Sequence, residues 1–140
     1  MKKYTYSLDR ISEIAKELKE DIKDCKILAF SGPLGAGKTT LIRELLSSMG
    51  VPVQEIISPT FNYVNIYKDN FGRRIYHFDL YRINSINEFL QAGFDEYLNS
   101  GDLVLIEWPE VIKPLLKNKT CWISIDYEGQ DKREISLNFL

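Results

Sequence analysis

Eight consecutive residues, Gly32, Pro33, Leu34, Gly35, Ala36, Gly37, Lys38 and Thr39, fit the pattern G-x-x-x-x-G-K-[ST] and separate two segments of different periodicity. Upstream, residues 27–30 are wholly apolar, as in a strand buried on both faces, and the run stops at Ser31. Downstream, Leu41, Ile42, Leu45 and Leu46 recur at helical spacing over residues 38–49, and Gly50 and Pro52 close the helix. A strand that turns through glycines into a helix leaves the first N–H groups of that helix unpaired. Glycines let the backbone curl until these groups line an anion nest at the positive end of the helix dipole. In such a loop the lysine reaches the β- and γ-phosphates of a nucleoside triphosphate, and the Ser/Thr hydroxyl binds Mg²⁺. Gly32, Leu34, Gly35, Ala36, Gly37, Lys38, Thr39 and Thr40 are the expected nucleotide contacts, whereas Pro33 contributes shape but no N–H.

Apolar spacing organises the remaining chain as α/β. After a short extended piece at residues 4–6, Leu8, Ile11, Ile14, Ala15, Leu18 and Ile22 predict an amphipathic helix with Ser7 or Asp9 as its cap. Residues 61–67 and 74–79 flank a turn at 69–72 and read as a hairpin, so the sheet should become partly antiparallel. Ser85 and Glu88 form a capping box for a helix to about residue 98, weakened by Gly93. Residues 103–106 are a second apolar strand, ending on Glu107, and a short helix follows at 110–116. Residues 121–127 and 134–139 alternate around Gly129 as a closing hairpin. The expectation is one domain over residues 1–140, a three-layer P-loop fold with a mixed, partly antiparallel sheet.

With 140 residues, 44% of them hydrophobic and 27% charged, the chain can bury a core without metals or disulfides. Its formal charge of −2 gives no basic field for autonomous, tight nucleic-acid binding, so RNA contact is expected only through a partner. Cys25 and Cys121 lie outside any CxxC or Cys/His spacing and are expected to be reduced and half-buried. No stretch has the length and apolarity to span a bilayer, and the expected location is cytoplasmic, with no membrane partner.

A P-loop ATPase needs a carboxylate at the end of a neighbouring buried strand to hold Mg²⁺. Glu107, after Leu103, Val104, Leu105 and Ile106, is assigned that role; Asp79 is then free to orient or deprotonate the attacking water, with the exchange of these roles as the alternative. Ser58 and Thr60 lie where many P-loop proteins keep a loop that senses the γ-phosphate, against the simpler reading of a Ser-Pro turn. His77, the only histidine, reads as a packed, hydrogen-bonded side chain, with a catalytic role as the alternative. Arg82 is a candidate to neutralise phosphate or steady the carboxylates, or else a surface ion pair. Trp108 is either a partner-facing anchor or part of the core.

Together the P-loop, Ser-Pro-Thr at 58–60, His-Phe-Asp-Leu-Tyr-Arg at 77–82 and Glu-Trp-Pro at 107–109 resemble the bacterial TsaE (YjeE) family, in order and interval, over nearly the whole chain. The resemblance implies a small ATPase of the tRNA threonylcarbamoyladenosine pathway that uses ATP and Mg²⁺, works with TsaB and TsaD, and meets tRNA indirectly. It implies phosphate and metal roles for Lys38 and Thr39, a metal role for Glu107, activity-linked positions at Asp79 and Trp108, and a place near the nucleotide for Arg133. Pro33 departs from the family, which commonly has an acidic residue there. A small-molecule kinase is the rival enzyme class, but residues 85–101 carry no compact arginine-rich lid.

Overall fold

Alternation within the apolar strands sets the layers of the molecule. The computed structural model describes residues 2–57, 59 and 62–140. Its strands are β1 (Lys2–Ser7), β2 (Ile27–Ser31), β3 (Val64–Lys68), β4 (Arg74–Asp79), β5 (Leu103–Glu107), β6 (Thr120–Tyr127) and β7 (Lys132–Phe139), joined in one sheet of order β1-β7-β6-β2-β5-β4-β3. The four central strands, β6, β2, β5 and β4, run parallel, and β1, β7 and β3 add antiparallel edges. Side chains two apart share a face, so Leu28 and Phe30 of β2 enter one core while Ile27 and Ala29 enter the other.

Helices α1 (Ile11–Asp21) and α2 (Lys38–Ser48) cover the first face, and α3 (Ile86–Gln91), α4 (Asp95–Leu98) and a 3₁₀ segment, Pro109–Leu115, lie towards the second. This is the expected three-layer architecture. The α2 side chains of Leu41, Ile42, Leu45 and Leu46 are fully buried, each contributing about 1.5–3 kcal/mol. That burial holds the helix without a capping side chain at its start, which leaves its first N–H groups for the loop before it.

Local geometry corrects several sequence expectations. The first helix begins with a 3₁₀ turn, Leu8–Arg10, without a side-chain cap; the Ser7 hydroxyl instead donates to Asp9, and Leu8 is exposed. The helix predicted to run to residue 98 is split at Gly93, whose φ of 77° takes the chain out of helical geometry. Ser85 does cap α3, accepting from the Glu88 N–H at 3.2 Å. Cys121 is fully buried rather than half-buried, and desolvation pushes its thiol up to about 12; Cys25 is half-buried, as expected. The third strand starts at Val64, and Phe61, predicted to belong to it, lies outside the described residues.

Candidate functional site

Parallel register brings the ends of three strands to one edge of the sheet. Phe30 of β2 is level with Glu107 of β5, which is level with Asp79 of β4. The two carboxylates, far apart in the sequence, thus become neighbours beside the loop that leaves β2. That loop passes so close to β6 that a Cβ on Gly32 would stand 2.4 Å from the Ile125 carbonyl oxygen, a space only glycine fits. At the other end Gly37 enters α2 with φ of 102°, a left-handed conformation that a side chain would strain. Pro33, Leu34 and Gly35 form an exposed crest, Ala36 is fully buried, and Thr40 is exposed on the first turn of α2.

The polar groups converge on Glu107, which is 3% exposed. Its Oε1 accepts from the Thr39 hydroxyl at 2.7 Å, and its Oε2 is 2.8 Å from His77 Nε2. Burial pushes the Glu107 carboxyl up, but the His77 bond, the Thr39 hydroxyl and the Lys38 charge outweigh it and hold the group below the usual carboxylate range. With Nε2 donating, His77 Nδ1 is a buried acceptor that finds no partner among the described residues. The sequence reading of a packed, hydrogen-bonded histidine is correct, but it missed the partner. His77 and Asp79 are two positions apart, which is the strand signal that both face the same side.

Lys38 is 5% exposed; its ammonium donates to the Gly32 carbonyl at 2.5 Å and lies 3.3 Å from the centre of the Trp108 ring. Burial lowers its pKa, while Glu107, Glu110 and Asp79 oppose that shift. Trp108 is half-buried: it packs against the second core and stands between Lys38 and Tyr81, whose ring centre is 5.0 Å away, with a left-handed backbone at φ 57°. A desolvated cation–π contact of this kind is worth about 2 kcal/mol. Glu110, which the sequence did not single out, accepts from the Ser31 hydroxyl at 2.7 Å.

Asp79 is half-buried, and its Oδ1 accepts from the Tyr81 N–H at 3.0 Å, so it also caps its own turn. Burial pushes its carboxyl up, the Tyr81 N–H pulls it down, and the Glu107 charge adds to the rise. Beside it opens a cavity of about 120 Å³ lined by Pro59, Tyr63, Asp79, Tyr81 and the exposed Arg82. A larger cavity of about 310 Å³ lies at the opposite end of the strands, near Ile75 and Leu103, and touches no residue of the P-loop. Ser58 and Thr60 lie outside the described residues.

On the other flank of the loop, Arg133 is buried and donates from Nε to the Ala36 carbonyl at 3.0 Å, so it meets the loop's backbone. Tyr127, also missed by the sequence reading, donates to the Leu34 carbonyl at 3.3 Å and carries the Arg133 guanidinium 4.3 Å from its ring centre.

Thr39 and Glu107 are the residues that could hold a hard cation such as Mg²⁺. Thr39 Oγ1 and Glu107 Oε1 are hard oxygens 2.7 Å apart, and neighbouring oxygens in an octahedral shell of Mg²⁺ stand about 2.9 Å apart. Among the described residues no group of three or more His, Cys, Asp or Glu could hold a metal ion. Mg²⁺ is commonly bound through one or two protein oxygens plus phosphates and water.

Comparison with known proteins gives one consistent result. A family model described as "Threonylcarbamoyl adenosine biosynthesis protein TsaE" matches residues 5–135. The chain is 43% identical over 130 residues to the tRNA threonylcarbamoyladenosine biosynthesis protein TsaE of Rickettsia typhi, covering 90% of this chain and 88% of that protein. It is 33% identical over 132 residues to the protein of the same name from Bacillus subtilis, covering 94% and 81%. The crystal structure of Bacillus subtilis YdiB superposes with a TM-score of 0.72 at 28% identity, covering 99% of this chain and 86% of that one.

Proposed function

Because this chain belongs to the TsaE family and hence to tRNA threonylcarbamoyladenosine biosynthesis, we propose that it is the ATP-binding and ATP-hydrolysing component of that machinery. The observation that carries this reading is the meeting of Lys38, Thr39 and Glu107 at the mouth of the glycine loop. Bound Mg²⁺ would neutralise charge on the β- and γ-phosphates. Thr39 Oγ1 and Glu107 Oε1 would hold it, with Glu107 Oε2 kept on His77. Lys38 would exchange its bond to the Gly32 carbonyl for phosphate oxygens. Asp79, whose carboxyl holds its proton more tightly than usual, would orient the attacking water and accept its proton from the side of the small cavity.

TsaB and TsaD are the proposed partners, tRNA is met through them, and hydrolysis resets the conformation of the assembly. Water exclusion and an added positive charge from a partner accelerate phosphoryl transfer by roughly three to five orders of magnitude, so the isolated chain is expected to hydrolyse ATP slowly. Among the described residues no helix is long and apolar enough to cross a membrane; a cytoplasmic location is part of the proposal. Lys38→Ala tests the site: nucleotide affinity and partner-stimulated turnover should both fall in a folded protein. Unchanged affinity and turnover would overturn the assignment.

A further inference from the structure

The glycine loop has two unlike flanks. Towards β5 and β4 stand Glu107, Trp108 and Asp79; towards β6 and β7 stand Tyr127 and Arg133. If the loop holds a nucleoside triphosphate, as proposed above, its reacting end belongs on the carboxylate flank. The lysine takes the β- and γ-phosphates, which leaves the sugar and base to the side of the loop away from the carboxylates, the tyrosine flank.

What waits there is a fixed aromatic ring. Tyr127 is 47% exposed although its hydroxyl is tied to the Leu34 carbonyl and the Arg133 guanidinium lies against its ring. Arg133 is itself held by the carbonyls of Ala36 and Lys132, at 3.0 and 2.9 Å. In the sheet, Tyr127 is level with Arg133, and Arg133 with Tyr6, so the arginine on β7 stands between neighbours on the two adjacent strands, β6 and β1. A Cβ on Gly35 would stand 3.0 Å from the Tyr127 hydroxyl, so the glycine lets the ring lie close over the loop. Side chains immobilised before binding lose little further entropy when a ligand arrives. An aromatic ring backed by a guanidinium offers a face on which a base can stack.

We propose that Tyr127 is the base platform of the nucleotide site, stacking its exposed ring on the nucleobase while the loop holds the phosphates. The proposal rests on the nucleotide reading, and the test separates the two. Binding of Mg²⁺–ATP and of Mg²⁺–tripolyphosphate, which has phosphates but no base, is measured by calorimetry for the full chain and for Tyr127→Phe, Tyr127→Trp and Tyr127→Leu. The parent should prefer ATP. The ratio of the two affinities should fall roughly 5- to 100-fold in Tyr127→Leu, as expected for loss of one base–aromatic stack, and should persist in Tyr127→Phe and Tyr127→Trp, which retain a ring. An unchanged ratio in Tyr127→Leu, including equal weakening of both ligands, would make the ring a brace of the loop and overturn the proposal. A ratio lost already in Tyr127→Phe would assign the effect to the hydroxyl and also overturn it. A parent that binds both ligands equally leaves the phosphate nest standing without a base platform; a parent that binds neither overturns the nucleotide reading and the platform together.

Discussion

Replacing His77 by leucine tests whether the buried histidine exists to hold Glu107. His77 and Glu107 are 2% and 3% exposed, and their side chains meet at 2.8 Å. Leucine approximates the imidazole in volume, so the main loss is a hydrogen bond to a charged acceptor, worth about 1.5–3 kcal/mol. For a chain of this length 1 kcal/mol corresponds to roughly 3–4 °C in Tm, so His77→Leu should melt about 5–10 °C lower. Glutamine can place an amide N–H near the position of Nε2 and satisfy Oε2 again, so His77→Gln should recover a substantial part of the loss. Urea denaturation with matched m-values, supported by thermal melts, measures both variants. If His77→Leu lies within about 0.5 kcal/mol of the parent, below the net worth of a typical hydrogen bond, the bond does not hold Glu107. If His77→Gln is no more stable than His77→Leu, packing of the ring and not donation to Glu107 explains the residue.

The two carboxylates should separate in a Mg²⁺ titration of nucleotide binding: Glu107→Gln is expected to weaken the Mg²⁺ dependence more than Asp79→Asn, and the reverse ranking would exchange their roles. Asp79→Asn should also change stability with pH. Because the folded state raises the Asp79 carboxyl above its ordinary value of about 4, the native protein binds the proton more tightly than the unfolded chain, and the aspartate's contribution declines as pH rises through that interval. Urea melts across acidic pH should therefore show the asparagine variant gaining on the parent as pH increases; a gap moving the other way would mean that the folded state favours the ionised carboxylate. Trp108→Ala should reduce partner-stimulated turnover more than the ATP affinity of the free chain, read from a partner titration and from calorimetry, and equal losses would limit the ring's role to the nucleotide pocket or the core.

The glycine loop was legible in the sequence because its signal is local. Gly32, Gly37, Lys38 and Thr39 sit at fixed offsets between a strand and a helix, and the periods of their flanks announce both elements. The apolar run ending on Glu107 and the alternation of His77 with Asp79 were equally local, so the carboxylates could be found as candidates. Their neighbourhood could not, because it depends on which strands pair and in what register: Asp79 reaches Glu107 only because β4 joins β5 in parallel with those two residues level. The same holds for Tyr127, which looks in the sequence like the last aromatic of a hairpin and reaches Leu34 only because β6 lies beside β2. Trp108 was open to two readings in the sequence, and its packing against the core was one of them; its place between Lys38 and Tyr81 was not legible, since it depends on a left-handed turn after β5. Spacing along the chain determined the elements and the glycine loop between β2 and α2; hydrogen bonding between strands distant in sequence decided what surrounds that loop, because register is a property of the assembled sheet and of no single segment.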